Sequence, residues 1–148
     1  MRKIGAMILV LAMCFSLFGC KSKEAKAAEE LITAIGTVSL DSADAIAAAQ
    51  AAFDALSQED KAAVENASAL TQAEADYAQL VLQKQADDVY AQIGALGEIT
   101  ADSEAAVTAA QAAYDALPEE GKALVGNSDV LQQASHALKK IALEEKHG

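Results

Sequence analysis

Ala48-Ala49-Gln50-Ala51-Ala52-Phe53-Asp54-Ala55-Leu56 recurs as Ala109-Ala110-Gln111-Ala112-Ala113-Tyr114-Asp115-Ala116-Leu117, with a single exchange of one aromatic for another. Phe53 thus pairs with Tyr114, and holding that offset without a gap from Ala28/Val89 to Leu80/Ile141 gives 22 identities in 53 pairs. Two alanine-rich helices match partly by composition alone, but the punctuation repeats as well: Gly36 with Gly97, Asp41-Ser42 with Asp102-Ser103, Asn66 with Asn127. Shared stops and starts at one fixed period mark two copies of a single module.

Within each copy the apolar residues step by three and four. Ile46, Ala49, Phe53 and Leu56 line one face of a helix, as do Val107, Ala110, Tyr114 and Leu117. Asp41 or Ser42, and Asp102 or Ser103, stand where an oxygen would cap the first turn. Gly36 and Gly97 are placed to stop the preceding helix, because glycine enters positive φ at low cost. Ser57 with Asp60 reads as a capping pair, and Pro118, the chain's one proline, suits a first helical turn. A brief helix to Val64 or Val125 follows, and Ser68 and Asp129 are expected to cap the next.

From Ser68 to Leu96 the only breaker is Gly94, which predicts one long helix over about 68–96. Leu70, Ala73, Tyr77 and Leu80 form one stripe on it; Leu82, Ala86, Val89, Ile93 and Leu96 form another, centred about 160° away. The fold expected is therefore all-α: two tandem small helical-bundle repeats, 28–80 and 81–148, sharing a long central helix. A break near Gln83-Lys84-Gln85 would instead leave two bundles on a flexible link. With alanine dominating the interior, Ile32, Ile35, Ile46, Phe53, Leu56, Val64 and Leu70 must supply most of the first core.

The N-terminus has a different character. Met1-Arg2-Lys3 is positive, Ile4 to Phe18 is apolar but short for a resting membrane span, and small Gly19 precedes Cys20. Leu17-Phe18-Gly19-Cys20 resembles the lipobox of bacterial lipoproteins. That resemblance implies that residues 1–19 are a signal peptide removed on export. Cys20 becomes the first residue and carries a lipid such as palmitate, and the chain is held on the extracytoplasmic face of the cell membrane. An uncleaved anchor helix and an ordinary secretory signal are the alternatives. Residues 20–27, with Lys21, Lys23 and Lys26, read either as a lipidated tether against anionic headgroups or as a solvated linker. Cys14 lies in the removed segment, so neither a disulfide framework nor a spare thiol nucleophile is expected.

Charge narrows the partners. The chain has 11 Lys+Arg against 22 Asp+Glu; loss of Arg2 and Lys3 leaves 9 against 22, a formal charge of −13. Such a surface repels a phosphate backbone, which excludes nucleic acid as the expected partner. After residue 20 the aromatics are Phe53, Tyr77, Tyr90 and Tyr114, with no Trp, too few for a stacking platform.

No constellation for chemistry emerges. His147 is next to the last residue, and His136 has Gln132, Gln133 and Lys140 as helical neighbours rather than a second ligand. Asp87-Asp88, Glu119-Glu120 and Glu144-Glu145 are adjacent, so on a helix they diverge by about 100° instead of forming a dyad. Asp41 and Asp44 lack the glycine-containing calcium loop, and no Ser-x-x-Lys pair or glycine-rich phosphate loop is present. No catalytic, cofactor-binding or metal-ligating residues are therefore assigned, and a non-enzyme is expected.

Ala112-Ala113-Tyr114-Asp115-Ala116-Leu117, Lys122-Ala123-Leu124-Val125, Asn127, and Leu131 with Ala134 together resemble short helical modules repeated in cell-surface and secreted proteins of Gram-positive bacteria. The resemblance implies a spacer or attachment segment. Two readings follow: a membrane-anchored helical spacer or protein-interaction module with a protein partner, or a small ligand-binding lipoprotein with a cleft between helices.

Overall fold

A serine caps the first helix. In the computed structural model, which describes residues 21–147, Ser22 Oγ accepts the Ala25 N–H at 3.0 Å and caps helix α1 (Lys23–Ile35). Cys20 and the expected signal peptide 1–19 lie outside the described residues. The protein is all-α, with no strand among the described residues. Six helices follow α1: α2 (Ala43–Asp54), α3 (Gln58–Ala63), α4 (Ala67–Gly94), α5 (Glu104–Ala116), α6 (Glu119–Leu124) and α7 (Ser128–His147).

The stops are where the glycines are. Gly36 ends α1 at φ 61, and Gly97 takes φ 60 shortly beyond the end of α4. A Cβ at either position would meet nothing within 4 Å, so backbone conformation rather than space selects glycine there. Gly36 also has ψ −135, a region closed to side-chain-bearing residues, so Gly36→Ala should cost roughly 1–3 kcal/mol in a thermal melt.

The starts differ from the sequence expectation by a few residues. Ser42 and Ser103 stand at the N-caps of α2 and α5, but neither side chain bonds the first turn. The chain instead enters α2 through a 3₁₀ turn, Leu40–Ser42, capped by Ser39, whose Oγ accepts the Asp41 N–H and whose own N–H donates to Ser42 Oγ at 2.9 Å. Thr100 and Ser103 repeat that reciprocal arrangement, with Thr100 N–H donating to Ser103 Oγ at 3.0 Å. Ser57 caps α3 as expected, accepting the Asp60 N–H at 3.1 Å, while Pro118 stands one residue ahead of the first turn of α6. Ser68 and Asp129 are not caps. Both lie inside their helices, and the Asn66 and Asn127 carbonyls accept the first bonds, from Ala69 and Val130.

The chain divides into two compact units, one ending at Ala73 and one beginning at Glu74. The first buries Ile32, Ile35, Ile46, Leu56, Val64 and Leu70 among Ala25, Ala28, Ala49 and Ala73. The second buries Val89, Ile93, Val107, Leu117, Val125 and Leu131 among Ala86, Ala110 and Ala134. Nearly every core position of one unit has its counterpart in the other at the offset that pairs Phe53 with Tyr114. Alanines and branched aliphatics together make up the small interior of each unit.

Two expectations change. The described part of the 20–27 segment, residues 21–27, is folded rather than an extended linker: α1 begins at Lys23 and Ala25 has no exposed surface. Phe53 is not a core residue. It and Tyr114 are half-buried, and Lys61 Nζ lies 5.6 Å from the Phe53 ring centroid, over its face. Period-of-three-and-four spacing placed Phe53 beside the core, but α2 presents its small Ala49 to the interior and leaves the ring at the margin. Phe53→Ala should therefore cost about 1–2 kcal/mol, less than a fully buried ring would, and denaturant titration measures it.

Candidate functional site

Three arrangements stand out from the helical framework. The first follows directly on Cys20. Lys21 Nζ donates to Glu29 Oε1 at 2.7 Å and to Glu65 Oε1 at 3.0 Å, and Glu29 Oε1 also accepts the Glu65 backbone N–H at 2.8 Å. The cluster ties the residue after Cys20 to α1 and to the turn that follows α3. Lys21 and the Glu65 N–H hold the Glu29 carboxyl below the usual carboxylate range, and Glu29 with Glu65 raises Lys21. Hydrogen bonds from Ser22 and Ser57 likewise lower Asp60. A carboxylate depressed by folding stabilises the fold above its unfolded pKa of about 4.3 and loses that contribution as pH falls through the folded value. The first unit should thus weaken on acidification below about pH 4.3, and Glu29→Gln should flatten that acid limb in pH-dependent melts. The Lys21 contribution has the opposite sense, lost only as pH rises above its folded value.

The second arrangement is an asparagine clasp present in both units. Asn66 Nδ2 donates to the Glu29 carbonyl at 3.0 Å and to Thr33 Oγ1 at 3.1 Å; Asn127 Nδ2 donates to the Tyr90 carbonyl at 2.9 Å. Gly94 stands where Thr33 does, so the second clasp has one bond fewer. Both Oδ1 atoms are buried without a partner, which offsets part of the gain. Asn66→Ala should cost about 1–2 kcal/mol and Asn127→Ala about 1 kcal/mol or less, an ordering readable from paired thermal melts.

The two units differ around this clasp. Where the first unit has Lys21, Glu29 and Glu65, the second has Leu82, Tyr90 and Gly126. Leu82 sits against α6, its Cδ1 only 2.8 Å from where a Cβ on Gly121 would be, so glycine at 121 leaves room for that side chain. Tyr90, in the place of Glu29, is about half exposed, as are Leu124 and Val130 elsewhere in the second unit.

The third arrangement is an open groove of about 550 Å³ along α5 and α7. Val107 is buried at its base, Leu138 and Ile141 are half-buried, and Ala112 and Ala142 keep the walls low. Its charged residues, Glu104, Asp115, Lys139 and Glu145, are all exposed. This groove was missed at the level of sequence; its signal was the run of alanine and threonine on α5 facing Leu138, Ile141 and Ala142 of α7.

His136 and His147 are exposed, and no group of three metal-ligating side chains lies together among the described residues. No helix among them is long and apolar enough to cross a membrane. Cys20 lies outside the described residues. No family model, curated protein or solved structure matches the chain.

Proposed function

We propose that this chain is a lipoprotein held on the extracytoplasmic face of the membrane through Cys20, and that it is a non-enzymatic module for protein contact or spacing. Its two units are copies of one helical repeat joined through α4. The observation that carries the reading is the register of the fold with the Leu17-Phe18-Gly19-Cys20 tetrad: Ser22 caps α1 and Lys21 is locked by Glu29 and Glu65 immediately after Cys20. A lipid on Cys20 would therefore place the first unit directly against the headgroups. Small-ligand binding is less well supported, because the charged residues of the α5/α7 groove stand exposed along it instead of converging on an enclosed floor.

Cys20→Ser, expressed in a bacterium with lipoprotein processing, should retain the N-terminal segment, lose labelling by radioactive palmitate and accumulate at precursor size. A Cys20→Ser protein that is still labelled and processed like the parent overturns the anchoring.

A further inference from the structure

We infer that the groove between α5 and α7 is the docking site for a basic amphipathic helix of a partner protein. This deepens the protein-contact reading above and rests on it. The groove runs along α5 from Glu104 to Asp115, about 16 Å at the rise of a helix, the length of three helical turns. Ala112, Ala142 and Thr108 are small enough for a third helix to approach closely, and Leu138 and Ile141 offer it an apolar seam.

Charge selects the occupant. Glu104, Asp115 and Glu145 border the groove against the single base Lys139. Glu104, Lys139 and Glu145 make no ion pair or side-chain hydrogen bond among the described residues; Asp115 accepts one, from Gln111 Nε2 at 3.0 Å on its own helix. Lysines or arginines flanking the seam of an incoming helix would meet three carboxylates. A second copy of this chain, at a net charge of −11 before and −13 after loss of residues 1–19, brings the wrong sign, and an anionic membrane is repelled for the same reason. An interface of three turns is at the small end of specific contacts, so affinity in the micromolar range and strong weakening by salt are expected.

The probe is a labelled synthetic helix of four turns with a leucine seam flanked by lysines, and a twin in which every lysine is glutamate. Binding is followed by fluorescence anisotropy to the full chain in zwitterionic nanodiscs, with empty nanodiscs as the blank. The lysine helix should bind and the glutamate twin should not. Ala112→Lys, an exposed groove position that leaves the core untouched, should weaken binding at least about tenfold. Ala109→Lys, on α5 but outside the groove, should change it little. Loss of all lysine-helix binding, equal effects of the two variants, or equal binding of the twin overturns the proposal. So does concentration-dependent self-association that Ala112→Lys abolishes, since the occupant is then a second copy. Anchoring is scored separately by Cys20→Ser, so either claim can fail alone.

Discussion

Ile93→Ala is expected to destabilise the second unit by about 3–4 kcal/mol, enough to leave it largely unfolded at ambient temperature. Ile93 is 1% exposed and, with Leu131, is one of the two largest side chains that are fully buried. It packs in a buried cluster otherwise made of Val, Leu and Ala, with Leu96, Ile99 and Tyr114 against the cluster, so its truncation opens a cavity that the surroundings fill only in part. A unit of this size has a total stability of the same order as one such cavity. Denaturant unfolding followed by far-ultraviolet circular dichroism should show loss of roughly half the cooperative amplitude. Ile32→Ala, at the equivalent position of the first unit, removes a side chain that is 4% exposed and should do the same there. Parent-like melts for both variants would mean that the aliphatic core does not hold these helices.

Lys84→Pro should be of similar size. Lys84 lies in the middle of α4, pairs with Asp88 on the same helix and has an exposed side chain, so the substitution removes no core contact. Proline there deletes one backbone hydrogen bond and clashes with the preceding turn, at about 3 kcal/mol or more. If α4 carries mechanical continuity between the copies, both cooperative transitions shift; Lys84→Ala, which loses the ion pair alone, should leave them near the parent. Two unchanged transitions in Lys84→Pro would mean that the units are beads on a compliant link.

How much of this was legible depended on which forces set each feature. The helices and their interior positions were readable because they follow a period: Ile46/Val107, Leu56/Leu117 and Leu70/Leu131 recur at one common offset and are all buried. The internal similarity strengthened the signal, since Gly36 and Asn66 each had a second instance, Gly97 and Asn127, against which to judge it. Features set by side-chain reach were not readable. Ser39 and Thr100 cap their turns through Ser42 and Ser103, a pairing without the Glu or Gln that marks a capping box in sequence. The Lys21–Glu29–Glu65 cluster joins residues far apart in the chain, and nothing in a lysine-rich segment beside a lipobox-like cysteine distinguishes a locked side chain from a tether. Phe53 failed for a third reason: periodicity identifies a face, whereas depth along it depends on how closely α2 is approached, which its alanines decide.

The role of Asn66 and Asn127 shows the same division. Their recurrence marked them as structural, but the carbonyls they bond, those of Glu29 and Tyr90, lie on another helix and differ in residue type. A side chain that recognises backbone leaves no trace in its partner's identity. The α5/α7 groove was hidden likewise, because it is a property of two helices side by side rather than of either alone.

Intact-mass and N-terminal fragment analysis of the protein extracted from bacterial membranes tests the central claim most directly. Anchoring through Cys20 predicts a chain lacking residues 1–19, beginning at Cys20, with the added mass of a diacylglyceryl group on its sulfur. A chain that begins at Met1, or one that begins at an unmodified Cys20, would contradict it.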